Sequence, residues 1–272
     1  MVHFPNGKIN IGLQITGKRP DGYHDLQTIF YPINIKDIVE IISSPYDGNE
    51  ITFSSSGLTV DGETTNNLCI KAYQLIKKDY PYLPPIKLHL HKNIPMGAGL
   101  GGGSADGAFT LKLLNEKFDL NLSANKLIEY ALTLGSDCPF FICNTPSYAT
   151  GRGELLHPIS LNLAEYSILI VNPNIHINTA WAFKELTLKV PSIELAQAIK
   201  EPILNWKEFI TNDFEEPVFK SYPAISELKN YLYHNGAIYA SMSGSGSTVF
   251  GIFENNVKRE INLPETYFHK WV

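Results

Sequence analysis

Cysteine is scarce: Cys69, Cys138 and Cys143 are the only three in 272 residues, and no two form a C-x-x-C pair. That spacing supplies neither a disulfide framework nor a zinc site and suits a reducing compartment. No apolar run approaches the ~18 residues of a membrane span. The N-terminus has no charged region leading into a long apolar stretch, as a signal peptide does. Positive blocks are missing too, with 22 Lys and Arg against 27 Asp and Glu and a net charge of −5; this excludes a nucleic-acid surface built on basic charge. Gly7-Lys8 and Gly17-Lys18 lack the following Ser or Thr that a P-loop needs. No internal repeat or long linker stands out. These absences lead us to expect a cytoplasmic protein with no membrane or nucleic-acid partner. Its 44% hydrophobic content is enough for one or two cores.

Glycine, by contrast, is concentrated. Six of the fourteen residues from Pro95 to Ala108 are glycine (PMGAGLGGGSADGA). Glycine tolerates positive φ and brings the backbone close to a ligand. Amides converging at a helix start attract an anion, and the helix dipole adds to the pull. The stretch therefore reads as a phosphate cradle. Gly97, Gly99 and Gly102 also fit G-x-G-x-x-G, but a dinucleotide fold needs a second strand with a terminal acid soon after. Here two helical patterns follow instead, over residues 104–116 and 123–134.

The periodicity predicts strands over residues 8–16, 28–35, 38–43, 86–91, 166–171, 238–242 and 249–253. It predicts helices over 66–78, with Asn66 as cap, and over 179–189, 193–200 and 223–234. Gly135 is a plausible helix stop. This is a mixed α+β pattern in both halves, with a boundary near residue 152.

Four further segments carry chemistry, each with a plainer alternative. Ser243-Gly244-Ser245-Gly246-Ser247 reads as a hairpin turn or as a second anion nest. Asp137, in LGSDCPFF, is either a proton acceptor or a cap on neighbouring amides. Lys8 lies in an apolar strand, where a lysine ordinarily faces solvent; it gains interest if Asp137 lies opposite. In RPDGYH, residues 19–24, Tyr23 and His24 follow a Pro-Asp-Gly turn and read either as surface rings or as a heterocycle-recognition pair. His89 and His91 share one strand face and read as structural. The turn Gly151-Arg152-Gly153-Glu154 has no role that the sequence supports.

Taken together, the motifs PNGKINIGL (5–13), RPDGYHDLQT (19–28), PMGAGLGGGSADGA (95–108), GSDCPFF (135–141), TGRGE (150–154), NDFE (212–215) and SMSGSGSTVF (241–250) resemble the GHMP kinase superfamily, whose phosphate loop is P-x-x-x-G-L-G-S/G-S. They span nearly the whole chain. The resemblance implies a two-domain α+β fold, residues 1–152 and 153–272, with the active site in the inter-domain cleft. It implies ATP and Mg²⁺ as cofactors. Pro95, Gly97, Gly99, Gly101, Gly102, Gly103 and Ser104 would hold the phosphates, with Asn66, Leu68 and Lys92 on the adenine side. Lys8 and Asp137 would be catalytic, with Asn10 positioning the substrate hydroxyl. The DGYH loop implies a substrate carrying a cytidine diphosphate, on the non-mevalonate route to isoprenoids. Its cytosine would stack between Tyr23 and Phe183, His24 reading its edge, while Gly244 and Ser245 close on the diphosphate. A monomer or weak homodimer is expected. Gly7, Ala105, Gly107 and Ser136 depart from the family's commonest pattern. Gly107 would cost its helix about 1 kcal/mol, and Ala105 would remove one phosphate contact. The rivals are a GHMP kinase for homoserine, mevalonate or a sugar, and a non-catalytic ligand-binding protein on the same fold.

Overall fold

The computed structural model describes residues 1–44, 50–60, 62–188, 193–254 and 260–272. They group into two compact units that interleave along the chain. Met1–Gly7, Asn34–Met96 and Gly101–Thr145 form the first; Lys8–Ile33, Gly97–Leu100 and Pro146–Val272 form the second. One boundary at residue 152 therefore does not divide the chain. Early strands pair with late ones, Thr28 opposite Ala149 for example, and no shift in composition announces such pairing.

The first unit is an α+β assembly. Its sheet runs in the order Val2–His3, Ile38–Ser43, Ile86–Lys92, Ile51–Gly57. Ile41 pairs antiparallel with Leu88, and Phe53 pairs with Leu88 in parallel. The alternating Ile86, Leu88 and Leu90 are buried. Helices Leu68–Asp79, Gly102–Lys117, Ala124–Leu134 and Cys138–Cys143 complete the unit and pack on one another. Asn67, not Asn66, caps Leu68–Asp79: its Oδ1 accepts from the Cys69 amide at 2.9 Å. Asn66 instead ends the 3₁₀ turn Thr64–Asn66. Ser123 caps Ala124–Leu134, and Gly135 follows that helix's end.

The second unit holds most of the sheet Asn6–Lys18, His24–Lys36, Ser147–Thr150, Leu155–Pro158, and all of a second sheet ordered Tyr239–Met242, Val249–Glu254, Tyr166–Asn172, Phe268–Trp271. Helix Pro223–His234 opens at its proline and packs on the strand Val249–Glu254. The core gathers Leu13, Ile15, Leu169, Phe214, Val218 and Leu228, among others. The helix expected over 179–189 is shorter, Thr179–Lys184. Thr187 beyond it is β-branched and loses rotamer freedom in a helix, and residue 189 lies outside the described residues. The helix expected over 193–200 contracts to Leu195–Ala198.

Candidate functional site

The glycine loop straddles the division of the chain: residues 97–100 belong to the second unit and 101–104 to the first. Helix Gly102–Lys117 starts two residues earlier than its apolar pattern suggests, with Gly101 as its cap. Its first internally bonded amide is that of Ala105, donating to the Gly101 carbonyl at 2.9 Å. The amides of Gly102, Gly103 and Ser104 are thus the orphan donors of a 16-residue helix, the arrangement that attracts phosphate. Ala105 is fully buried, so it does not stand in for a lost surface phosphate contact. Pro95 lies between strand Ile86–Lys92 and this loop.

Residues 97–100 are held from behind by the second glycine stretch. The Ser243 hydroxyl donates to the Gly99 carbonyl at 2.8 Å, and the Thr248 amide donates to that of Ala98 at 3.3 Å. Gly99 has φ of +78°, and a Cβ there would collide with the Ser243 carbonyl oxygen. Residues 243–247 are the hairpin connection between Met242 and its partner Val249. They brace residues 97–100 within one unit. Gly244 lies beside Asn10 and Gly99, and the Ser245 hydroxyl is 3.0 Å from that of Thr179.

Lys8 and Asn10 occupy strand Asn6–Lys18, which is buried for ten consecutive residues. Lys8 is only 4% exposed, against the solvent-facing lysine that a half-buried strand suggests. Its Nζ donates to Asn10 Oδ1 at 2.5 Å and lies 4.9 Å from the centroid of Phe30. Asn10 Nδ2 donates to the Thr28 hydroxyl at 2.9 Å, and that hydroxyl donates to the Gly12 carbonyl at 2.6 Å. Both ends of the Asn10 amide are therefore fixed. Asp137 belongs to the first unit. It opens helix Cys138–Cys143 without a side-chain capping bond to it, so the plain capping role is not taken. Its neighbour Cys138 hydrogen-bonds Ser104, and burial pushes that thiol up to about 12.

In the first unit a cavity of about 210 Å³ is lined by Phe53, Asn66, Leu68, Met96, Gly103 and Asp106, among others. Asn66 and Leu68 stand on its wall together with Gly103, but Lys92 does not. The Lys92 ammonium is buried in an ion triad with Asp37 and with Asp106, the latter at 2.8 Å. Burial disfavours its charge, yet Asp106 and Asp37 outweigh that and raise its pKa. Asp37 also accepts from the amides of Asn93 at 2.6 Å and Ile94 at 2.9 Å. Asp106, 2% exposed, has one oxygen on Lys92, while Oδ1 has no hydrogen-bond partner among the described residues. Burial pushes its carboxyl up to about 8 against the pull of Lys92. Neither aspartate is marked by sequence spacing; only a lysine in a buried strand hints that acids must answer it.

The ring cluster lies in the second unit. His24 stacks on Phe183, centroids 5.0 Å apart and planes 18° apart, and Phe183 meets Phe214 edge-on at 4.9 Å. Tyr23 is 56% exposed and carries the Arg152 guanidinium on its ring. The ring lying against Phe183 is thus that of His24. NDFE is the other segment whose role sequence reasoning leaves blank. Asn212 Nδ2 donates to the carbonyls of Met242 and Gly244, each at 2.8 Å. Glu215 accepts from the Met242 amide at 2.8 Å and pairs with Lys229 at 2.6 Å. These residues hold the second glycine stretch, which in turn braces the first. His89 and His91 do engage Ser54 and Ser56 across the sheet at 2.8–2.9 Å.

Residues 67–145 match the model of the GHMP kinases N-terminal domain, and 194–262 that of the GHMP kinases C-terminal domain. The chain is 51% identical over 266 residues to a 4-diphosphocytidyl-2-C-methyl-D-erythritol kinase of Bacteroides thetaiotaomicron, covering 98% of this chain and 95% of that protein. It is 48% identical to the protein of the same name from Cytophaga hutchinsonii, over 98% of this chain and 95% of the other. Among solved structures, a 4-(cytidine 5′-diphospho)-2C-methyl-D-erythritol kinase superposes with a TM-score of 0.79 at 27% identity, covering 93% of this chain and 90% of its own.

Proposed function

Since this chain belongs to the GHMP kinases, we propose that it moves the γ-phosphoryl group of ATP to the 2-hydroxyl of 4-diphosphocytidyl-2-C-methyl-D-erythritol. The ring cluster carries the substrate choice. Tyr23, His24 and Phe183 offer stacking faces and a ring nitrogen edge, which suit a pyrimidine. Homoserine, mevalonate or a sugar brings no aromatic ring to occupy them. The near full-length likeness to proteins of that name points the same way.

ATP would place its phosphates on the amides of Gly102, Gly103 and Ser104, with residues 97–101 close to the chain of phosphates. Its base would enter the cavity between Asn66, Leu68 and Met96. Phosphoryl transfer asks the protein for positioning and charge neutralisation more than for covalent chemistry. Lys8 supplies a buried positive charge whose direction is set by Asn10 and Phe30. Asp137 accepts the substrate hydroxyl's proton as the hydroxyl oxygen bonds the γ-phosphorus and the bond to the β–γ bridging oxygen breaks, releasing ADP, with Gly244 and Ser245 on the diphosphate side. No three His, Cys, Asp or Glu side chains converge as a metal site among the described residues. The donors that would hold Mg²⁺ are the nucleotide's own phosphate oxygens and water, with the Ser104 hydroxyl. When bound, the ion neutralises phosphate charge.

The test is ADP release from purified protein with Mg-ATP and the cytidylyl substrate. The wild type turns over. Asp137→Asn loses at least about a hundredfold in kcat while binding ATP as before. An active Asp137→Asn variant removes Asp137 from the chemistry, and a silent wild type removes the substrate.

A further inference from the structure

Arg152 has no part in the reading above, yet the second unit is built to aim it. It sits in the turn after strand Ser147–Thr150, where the Gly153 amide donates to the Thr150 carbonyl at 3.1 Å. The Glu154 carboxylate accepts from Arg152's own amide at 2.5 Å and lies 3.6 Å from its Nε. The Gly151 carbonyl accepts from the Leu26 amide at 2.7 Å. That bond fastens the turn to the strand that begins at His24. The guanidinium lies over the Tyr23 ring, 5.0 Å from its centroid.

Tyr23 needs such a partner. Its backbone is pinned, its amide donating to Asp21 Oδ1 at 3.1 Å and its carbonyl accepting from the Arg19 amide at 2.8 Å. Its side chain stands more than half exposed. An exposed ring left free to rotate pays an ordering cost when a ligand stacks on it. A planar cation held on one face removes part of that cost beforehand. The carboxylate of Asp21, kept below its ordinary range first by the Tyr23 amide and further by Arg19 and Arg152, stays charged beside the two arginines.

We propose that Arg152 is a positioning residue for base recognition: clamped by Glu154, it presets the Tyr23 ring for stacking on the cytosine of the substrate. The proposal rests on the substrate reading given above. It separates from that reading experimentally.

Steady-state kinetics on the full chain compare wild type, Arg152→Lys, Arg152→Leu, Tyr23→Leu and the Arg152→Leu/Tyr23→Leu double variant. Arg152→Leu raises the KM for the cytidylyl substrate about two- to fivefold, with kcat and the KM for ATP unchanged. Arg152→Lys falls between it and wild type, because the charge stays while the planar stack goes. On the Tyr23→Leu background, Arg152→Leu adds nothing further. Equal rises in both KM values, or the same rise with Tyr23 already gone, overturn the proposal. Calorimetric titration with cytidine diphosphate reads the same coupling without turnover. An inactive wild type that still binds it more tightly than Arg152→Leu does sinks the kinase reading and keeps the Arg152 role. Equal binding by the two, or none by either, sinks the Arg152 role.

Discussion

Asp37 and Asp106 share one lysine, and the two carboxylates are not equivalent. Asp37 spends its oxygens on Lys92 and two backbone amides. Asp106 has one oxygen on Lys92, the other without a hydrogen-bond partner among the described residues, and the like charge of Asp37 beside it. Burial therefore dominates its titration and lifts it to about 8. The folded protein then holds a proton on Asp106 across a range in which the unfolded chain, titrating near 4, has released it. Stability linked to this group is full below about pH 4 and is lost as pH rises towards 8. Asp106→Asn carries no such proton. Its melting temperature relative to wild type should rise steadily between pH 5 and pH 8, as thermal unfolding across that range would show. A difference that stays flat, or falls, means that Asp106 is already ionised at pH 5. The resemblance names Lys92 on the adenine side, with no hint of the two aspartates that hold it. Its true neighbours come from residues 55 positions earlier and 14 later, and no local pattern links them.

Helix packing reverses one expectation drawn from propensity. Gly107 in helix Gly102–Lys117 looks like a liability of about 1 kcal/mol relative to alanine. A Cβ at that position would stand 2.9 Å from the Cβ of Leu68 and 3.4 Å from Leu134 Cδ1. The first of those atoms sits on the backbone of helix Leu68–Asp79 and has little room to give. Overpacking of this kind costs about 1–3 kcal/mol, at least as much as the propensity gain. Gly107→Ala should thus melt lower than wild type. It should also weaken ATP binding, because Leu68 lines the cavity. Calorimetry and an ATP titration check both; a variant that melts higher with unchanged affinity contradicts the packing argument. Elements with strong periodicity were legible in advance. Strand Ile38–Ser43 and helix Pro223–His234 fall where alternation, proline and glycine put them. The helices expected over 179–189 and 193–200 are longer than the observed Thr179–Lys184 and Leu195–Ala198, and of the two only the first carries a side-chain cap, Asn178 on the Trp181 amide. The glycine loop and the Tyr23–His24 pair stand out in glycine density and in DGYH, whereas Phe183 enters only through the resemblance. The braces behind the loop, Ser243, Asn212 and Glu215, could not be read in advance, since polar residues that hold backbone carbonyls or amides leave no periodic trace.

The interleaving of the two units bears on how the chain folds. Residues 153–272 look self-contained in sequence, with strands, helices and a glycine turn of their own. The core they build nevertheless takes in Leu13 and Ile15. Strand Asn6–Lys18 is also laced to the NDFE segment. The Leu13 amide donates to the Thr211 carbonyl at 2.9 Å, the Asp213 amide to the Leu13 carbonyl at 2.8 Å, and the Ile15 amide to Asp213 Oδ2 at 2.7 Å. Two buried aliphatic side chains are worth about 3–6 kcal/mol, set against a typical domain stability of about 5–15 kcal/mol. Removing that strand also leaves three hydrogen-bonding groups of residues 211–213 without their partners. A fragment of residues 153–272 should therefore show no cooperative melting transition by circular dichroism. Co-expression with residues 1–152, which supply segments Lys8–Ile33 and Gly97–Leu100, should restore one. A sharp transition from the C-terminal fragment alone would mean that its core closes without the N-terminal strand, and the interleaved units would then be a matter of contact and not of stability.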